Sequence, residues 1–140
     1  MLPLLQNHFT LELGSEGGSA SQGLLNCIRT DLEPSAGLDV ICDATILPFR
    51  NHVFDRTWAV YLAHHIVDKQ ALISEARRVS DKFYMFDFLP NSWLHYYSVI
   101  WDWLIFSTRI KAVDPHLLSE LAPNHRFYKR SHLGTILYVF

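Results

Sequence analysis

The chain has 140 residues, 49% of them hydrophobic and 19% charged, with a net charge of −2. That is long enough to bury a core and too apolar for disorder, so one domain over residues 1–140 is the expectation. The 12 Lys and Arg residues are scattered among 14 Asp and Glu, which gives no field to draw nucleic acid, and no nucleic-acid partner is expected.

The opening "MLPLLQNHF" lacks the basic region and the long apolar run of a secretory leader. The first strong local signal is "HFTLELGSEGG", in which Phe9 to Leu13 reads as a short buried strand broken by Gly14, Gly17 and Gly18. "SASQGLL", residues 19–25, follows as a short helical stretch, so that strand, Gly-rich turn and helix open a Rossmann-like unit. A second strand spans Cys27 to Thr30 and ends on Asp31. "LDVICDA" is a third, ending on Asp43. Cys27 and Cys42 lack a C-x-x-C spacing, so reduced thiols and a cytoplasmic location are expected. Only seven residues separate Asp31 from Asp39, whereas a parallel crossover takes about a dozen. One strand of that pair is therefore expected to be vestigial or laid along the sheet edge.

"FDRTWAVYLAHH" holds the next strand, Phe54 to about Ala63. Adjacent residues on a strand or helix point apart, so His64 and His65 make a poor chelate, and no metal is expected. Asp68 caps a helix in which Leu72, Ile73, Ala76 and Val79 recur at helical spacing. Glu75, Arg77 and Arg78 are read as a solvated or sheet-packing face of it. "KFYMFDFLP" returns to strand and ends at Pro90. Trp93 to Phe106 is an aromatic helix of 14 residues, short of the ~20 that cross a bilayer. Core packing is the expectation for its Tyr96, Tyr97, Trp101 and Trp103, with an acceptor-lining, lipid-facing or membrane-proximal face as the alternative. "DPHLLSELA" places Pro115 behind the cap Asp114, and "HRFYKRSHLGTILYVF" reads as two strands with a turn near Ser131 to Gly134.

This alternation predicts an α/β fold: a Rossmann-like, mostly parallel sheet with an antiparallel C-terminal edge hairpin, helices on both faces and a reduced N-terminal part. In such sheets ligands bind at the carboxyl ends of the strands. Gly14, Asp31 and Asp43 fall at three successive ends, and each has a job if the ligand is a nucleoside. Glycines admit close backbone approach. Asp31 can accept both ribose hydroxyls, and Asp43 an adenine amino proton beside Ala44. Asp is also a common turn former at strand ends, which is the plainer role for either residue.

The run from Asp43 to Val79 resembles the class I S-adenosylmethionine-dependent methyltransferases of the methyltransferase-11, UbiE-like type. The resemblance rests on Asp43-Ala44, Leu47-Pro48-Phe49, Phe54-Asp55, His64-His65 and Glu75 with Arg78-Val79, and on "LELGSEGG" as that family's first motif. It covers roughly residues 9–89 and implies S-adenosylmethionine as cofactor and a small-molecule or lipid-like methyl acceptor. Carried over, Glu12, Gly14, Ser15, Gly17 and Gly18 would hold the methionine portion, Asp31 the ribose, and Asp43 with Ala44 the adenine. Ala59 and Val60 would border the methionine end. Glu16 stands where the family places glycine, and Ser80-Asp81-Lys82 where it places Pro-Gly-Gly. With few residues ahead of the first strand, the cofactor cleft is expected to be open, closed by a homo-oligomer or another partner.

Methyl transfer needs a base only for a poorly acidic acceptor. His64 and His65, just past a strand end, are the candidates, against a core position for one and a loop-orienting role for the other. Two other classes compete: a noncatalytic adenosylmethionine-fold binding or scaffold protein, and a dinucleotide-dependent oxidoreductase. The latter would want Gly-x-Gly-x-x-Gly, which "GSEGGSASQG" does not supply.

Overall fold

The computed structural model describes residues 8–16, 20–88, 93–106, 118, 120, 126–130 and 135–140. Gly17, Gly18, Pro90, the turn expected over 131–134 and all of the expected 114–122 helix except Leu118 and Glu120 lie outside the described residues.

Strands β1 (Thr10–Leu13), β2 (Cys27–Asp31), β3 (Val40–Ile41), β4 (Arg56–Val60) and β5 (Phe83–Phe88) pair in parallel. Strands β6 (Arg126–Arg130) and β7 (Thr135–Val139) complete a sheet of order β3-β2-β1-β4-β5-β7-β6. β7 lies between β5 and β6, antiparallel to both, so the closing hairpin forms the edge with β6 outermost.

Laterally paired residues share a face, because side chains alternate along a strand. Leu11, Leu13, Ala59, Phe83, Met85, Ile136 and Tyr138 therefore build one face, and they form a single buried cluster with Leu72, Ile73, Ala76 and Val79 of helix α1 (Lys69–Val79). Each large apolar side chain sealed there contributes about 1.5–3 kcal/mol. The alternate residues Trp58, Val60, Tyr84 and Phe86 are half-buried on the other face. Helix α1 starts where expected: the Asp68 carboxylate accepts from Ala71 N at 2.9 Å, satisfying one of the first-turn N–H groups that have no partner within the helix.

Three expectations need correction. Residues 20–25 form turns rather than a helix. The Ser21 and Leu24 carbonyls, which a helix would use, accept from the Arg29 guanidinium at 3.2 Å each, and Gly23 sits at φ +83°. β4 stops at Val60 rather than near Ala63, because Tyr61 turns the backbone to φ +54°. Helix α2 (Trp93–Phe106) forms as expected, but its Tyr96 and Tyr97 are 57% and 59% exposed and are not core. The Trp101 and Trp103 side chains lie outside the described residues. The short link after β2 has the expected consequence, since β3 is a two-residue strand on the sheet edge. Among the described residues no helix is long and apolar enough to cross a membrane.

Candidate functional site

Strand order reverses between β1 and β4, so the topological switch point, where open α/β sheets bind ligands, lies at the carboxyl ends of those two strands. The chain leaves β1 through Gly14 at φ +65°, and Leu62, just past β4, packs against it; a Cβ on Gly14 would stand 2.7 Å from Leu62 Cδ1. Ser15 N then donates to Thr30 O (3.0 Å) and Glu16 N to Asp31 Oδ2 (2.9 Å), stitching the first loop to the end of β2. Asp31 Oδ1 also accepts from Glu33 N at 3.2 Å. Glu16 is exposed and, though not glycine, holds φ +44°.

After β3, Asp43 Oδ1 accepts from Thr45 N (2.8 Å) and Thr45 Oγ1 (2.7 Å). The two Thr45 bonds hold the Asp43 carboxyl below the ordinary carboxylate value. The turn-forming role weighed for this residue is therefore real. Ala44 packs half-buried against the core.

Glu12 is buried at 2% exposure on β1, and the Ser21 hydroxyl donates to its Oε2. Arg29 Nε donates to Ser21 Oγ at 3.0 Å. Burial raises the Glu12 pKa above its ordinary 4.5, and the Ser21 bond and the Arg29 charge pull it back only in part. Ser15 is buried as well, and its side chain adds a weaker hydrogen bond to the Glu12 carboxyl. A raised folded-state pKa means that, above pH 4.5, the folded chain holds more protons here than the unfolded one. Stability is therefore lost as pH rises through the folded value. Glu12→Gln keeps an acceptor for Ser21 and removes the charge. Urea titrations between pH 4.5 and 8 should show a flatter pH dependence for the variant than for the parent; parallel curves would mean that Glu12 titrates normally.

At the ends of β4 and β5, the buried His64 places Nδ1 2.7 Å from Asp87 Oδ1, and its backbone N donates to Asp87 Oδ2 at 3.1 Å. Asp87 is fully buried and its Oδ1 also accepts from Phe88 N at 2.7 Å. His65 is exposed, and the two histidine rings lie 4.1 Å apart in a turn rather than pointing to opposite sides. Tyr61 stacks on Phe88 with ring centroids 4.6 Å apart.

The carboxyl edge of the sheet thus gathers Gly14, Ser15, Asp31, Asp43, Ala44, Val60, His64 and His65. Glu12 is linked to it through Ser15 and, more strongly, to Ser21. Ala59 stands at the same end of β4 with its side chain fully buried within the α1-facing core. Glu75 and Arg78 are not a solvated face either. Arg78 donates twice to Glu75 and once each to Leu47 O, Phe49 O and Asn51 Oδ1, clamping the loop after β3 onto α1. A groove of about 360 Å³ lies along α1 between Gln70 and Arg78 and includes none of the candidate residues. Asp87 escaped the sequence reading, although "FYMFDF" carries an acid near a strand's carboxyl end, the same signal that singled out Asp31 and Asp43.

A family model described as a methyltransferase domain matches residues 11–82. No curated protein matches the sequence. Among solved structures, a Thermotoga maritima S-adenosylmethionine-dependent methyltransferase, described as a possible histamine N-methyltransferase, superposes with TM-score 0.76 at 16% identity, covering 97% of this chain and 83% of that one. The methyltransferase bound to the Haloferax volcanii Trm112 activator gives TM-score 0.71 at 14% identity, covering 99% and 84%. An S-adenosylmethionine-dependent methyltransferase of Mesorhizobium loti gives 0.68 at 14%, covering 99% and 92%.

Proposed function

The chain belongs to the methyltransferase-domain family, and we propose that it moves the methyl group of S-adenosylmethionine to a small-molecule or lipid-like acceptor. The observation that carries this reading is the row of Gly14, Asp31 and Asp43 at successive strand ends beside the switch point. Asp31 is oriented by Glu16 N and Glu33 N, and the lone pairs left on a carboxylate suit two ribose hydroxyls. Asp43 spends Oδ1 on Thr45 and keeps Oδ2 for an adenine amino group. Ser15 Oγ, buried beside the Glu12 carboxyl, is a polar atom that could turn to a bound methionine moiety. Glu12, Gly17, Gly18, Ala44 and Val60 complete the proposed cofactor contacts.

The cofactor supplies the reactive methyl group. The protein's part is to position the two reactants and exclude water. The description of the Thermotoga neighbour, which names a small amine, supports a small acceptor. The exposed Trp93, Tyr96, Ile100 and Leu104 of α2 support an apolar or lipid-like one. A second copy or another protein closing the cleft belongs to the same proposal. One observation favours the noncatalytic alternative, because Glu12 is committed to Ser21 and Arg29 rather than standing open.

Calorimetry with S-adenosylmethionine, S-adenosylhomocysteine and NAD in parallel tests the reading, with binding expected for the first two alone. Asp31→Ala should weaken adenosylmethionine binding by about 1.5–3 kcal/mol, the range for hydrogen bonds to a charged group. Asp43→Ala should weaken it too, with loss of preference for adenine. Unchanged affinity in both variants would remove the site.

A further inference from the structure

Asp87 has no part in the proposed cofactor contacts, yet it is the fully buried acid at the end of β5. Its partners define its role. Oδ1 takes the Phe88 N–H and lies 2.7 Å from His64 Nδ1, while Oδ2 takes the His64 N–H. Among the described residues, His64 is the side chain that hydrogen-bonds to it. A carboxylate only accepts, so Nδ1 carries the hydrogen, and in the neutral imidazole Nε2 then holds the lone pair. Burying a carboxylate for packing alone would be costly, and an apolar residue would fill the space at lower free energy.

The ring is also fixed by its neighbours. His65 lies 4.1 Å away on one side, and Phe88, itself stacked on Tyr61, lies 5.0 Å away. Tyr61 holds a left-handed backbone at φ +54°, and such strain in a non-glycine residue persists only where the surroundings impose it. His64 follows by two residues the Leu62 that packs on Gly14, so it belongs to the same turn after β4 that meets the first loop. His65, Tyr61 and His95 of α2 are ionisable groups nearby, and burial, with the Asp87 charge adding to it, raises the Tyr61 pKa. Burial first, and then the neighbouring His64, push the His95 pKa down, and the Asp87 charge opposes them only in part.

We propose that Asp87 is a positioning residue that holds His64 as the proton acceptor beside the transferred methyl group. The substrate class this site serves is then a nucleophile that still carries its hydrogen, an O–H or N–H group, rather than a thiolate or carboxylate that arrives ionised. As the acceptor atom bonds to the methyl carbon, the carbon–sulfur bond breaks and its electron pair stays on sulfur. The acceptor's proton passes to His64 Nε2, and Asp87 pairs the imidazolium that forms. His64, which Asp87 fixes by both its ring and its backbone N–H, is the base in this proposal, and not the exposed His65. The inference rests on the methyltransferase reading of the site.

Nitrogen NMR of the imidazoles in the full ¹⁵N-labelled chain, with His64 assigned through His64→Gln, tests it without a known acceptor. His64 should show the Nδ1–H form. Its Nε2 resonance should shift more on adding S-adenosylmethionine than on adding S-adenosylhomocysteine, which lacks the sulfonium charge. Asp87→Asn should erase both signatures and Asp87→Glu restore them. An Nε2–H form in the parent chain, an equal response to the two ligands, or an unaltered Asp87→Asn spectrum would overturn the proposal. The parent-chain measurements decide it even if the variants do not fold. Absence of any adenosylmethionine binding by calorimetry is a different result, and it would remove the functional reading itself.

Discussion

Arg78→Ala is expected to destabilise the chain by about 2–3 kcal/mol and to weaken adenosylmethionine binding without touching the ligand. The guanidinium donates to both Glu75 oxygens at 2.6 and 2.7 Å, and to Leu47 O, Phe49 O and Asn51 Oδ1 at 2.8–3.0 Å. Glu75 Oε2 in turn accepts from Leu47 N at 2.7 Å. Removing Arg78 leaves Glu75 and two carbonyls short of donors at once. The side chains are 31% and 20% exposed, so solvent screens part of the pair, and the expectation sits below that for a sealed ion pair. Leu47 is buried and Phe49 meets Phe54 edge-on at 5.0 Å, so the freed loop would carry the Asp43 turn with it. Arg78→Lys should recover little, because a single ammonium cannot fork across Glu75 and three further oxygens.

The same clamp has a pH signature. The Arg78 bonds hold the Glu75 carboxyl below its ordinary 4.5, with the Leu47 N–H adding to them. A depressed folded-state pKa contributes stability above the unfolded value, and that stability is lost as pH falls through the folded one. Urea midpoints of the parent should therefore drop on acidification below pH 4.5 more steeply than those of Arg78→Ala. Hydrogen exchange at Leu47 N–H gives an independent measure and should accelerate in the variant. Equal exchange in the two proteins would show that the loop does not depend on Arg78.

Much of this was legible in the residues. Asp68 and the helical spacing of Leu72, Ile73, Ala76 and Val79 defined α1 to within a residue, since cap and apolar stripe gave the same boundary. The seven-residue gap before Asp39 foretold a reduced edge strand, because chain length alone forbids the crossover helix. What escaped was long-range. Nothing local in "SASQGLL" reveals that Arg29 takes its carbonyls, and helix propensity loses to that partner. Glu75 and Arg78 follow the pattern of a solvated helix face, and only the fold brings Leu47 and Phe49 beneath them. Asp31 and Asp43 sit at the strand ends read for them, whereas Asp87 was passed over within an apolar strand.

Gly14→Ala is expected to cost about 2–3 kcal/mol, of which about 1–2 comes from the backbone and the rest from Leu62. At φ +65° an L side chain crowds its own carbonyl, whatever space lies around it. Here the space is also taken. The added Cβ would meet Leu62 Cδ1 at 2.7 Å, Cγ at 3.1 Å and Cβ at 3.2 Å. The methyl can swing aside at little cost, but Cγ and Cβ yield only if the turn after β4 shifts. That turn carries Tyr61, Leu62 and His64, so the substitution reaches across the switch point from one strand end to the next. A double-mutant cycle with Leu62→Ala separates the two contributions. In the Leu62→Ala background the Cδ1 and Cγ contacts vanish and only the one with Cβ at 3.2 Å remains, so Gly14→Ala should cost little more than the strain of the left-handed backbone. If it costs the same in both backgrounds, Leu62 is not the obstacle and the whole penalty belongs to φ. If it costs nothing in either, the chain leaves β1 without the left-handed step, and the tie from Glu16 N to Asp31 that depends on this turn must be drawn differently.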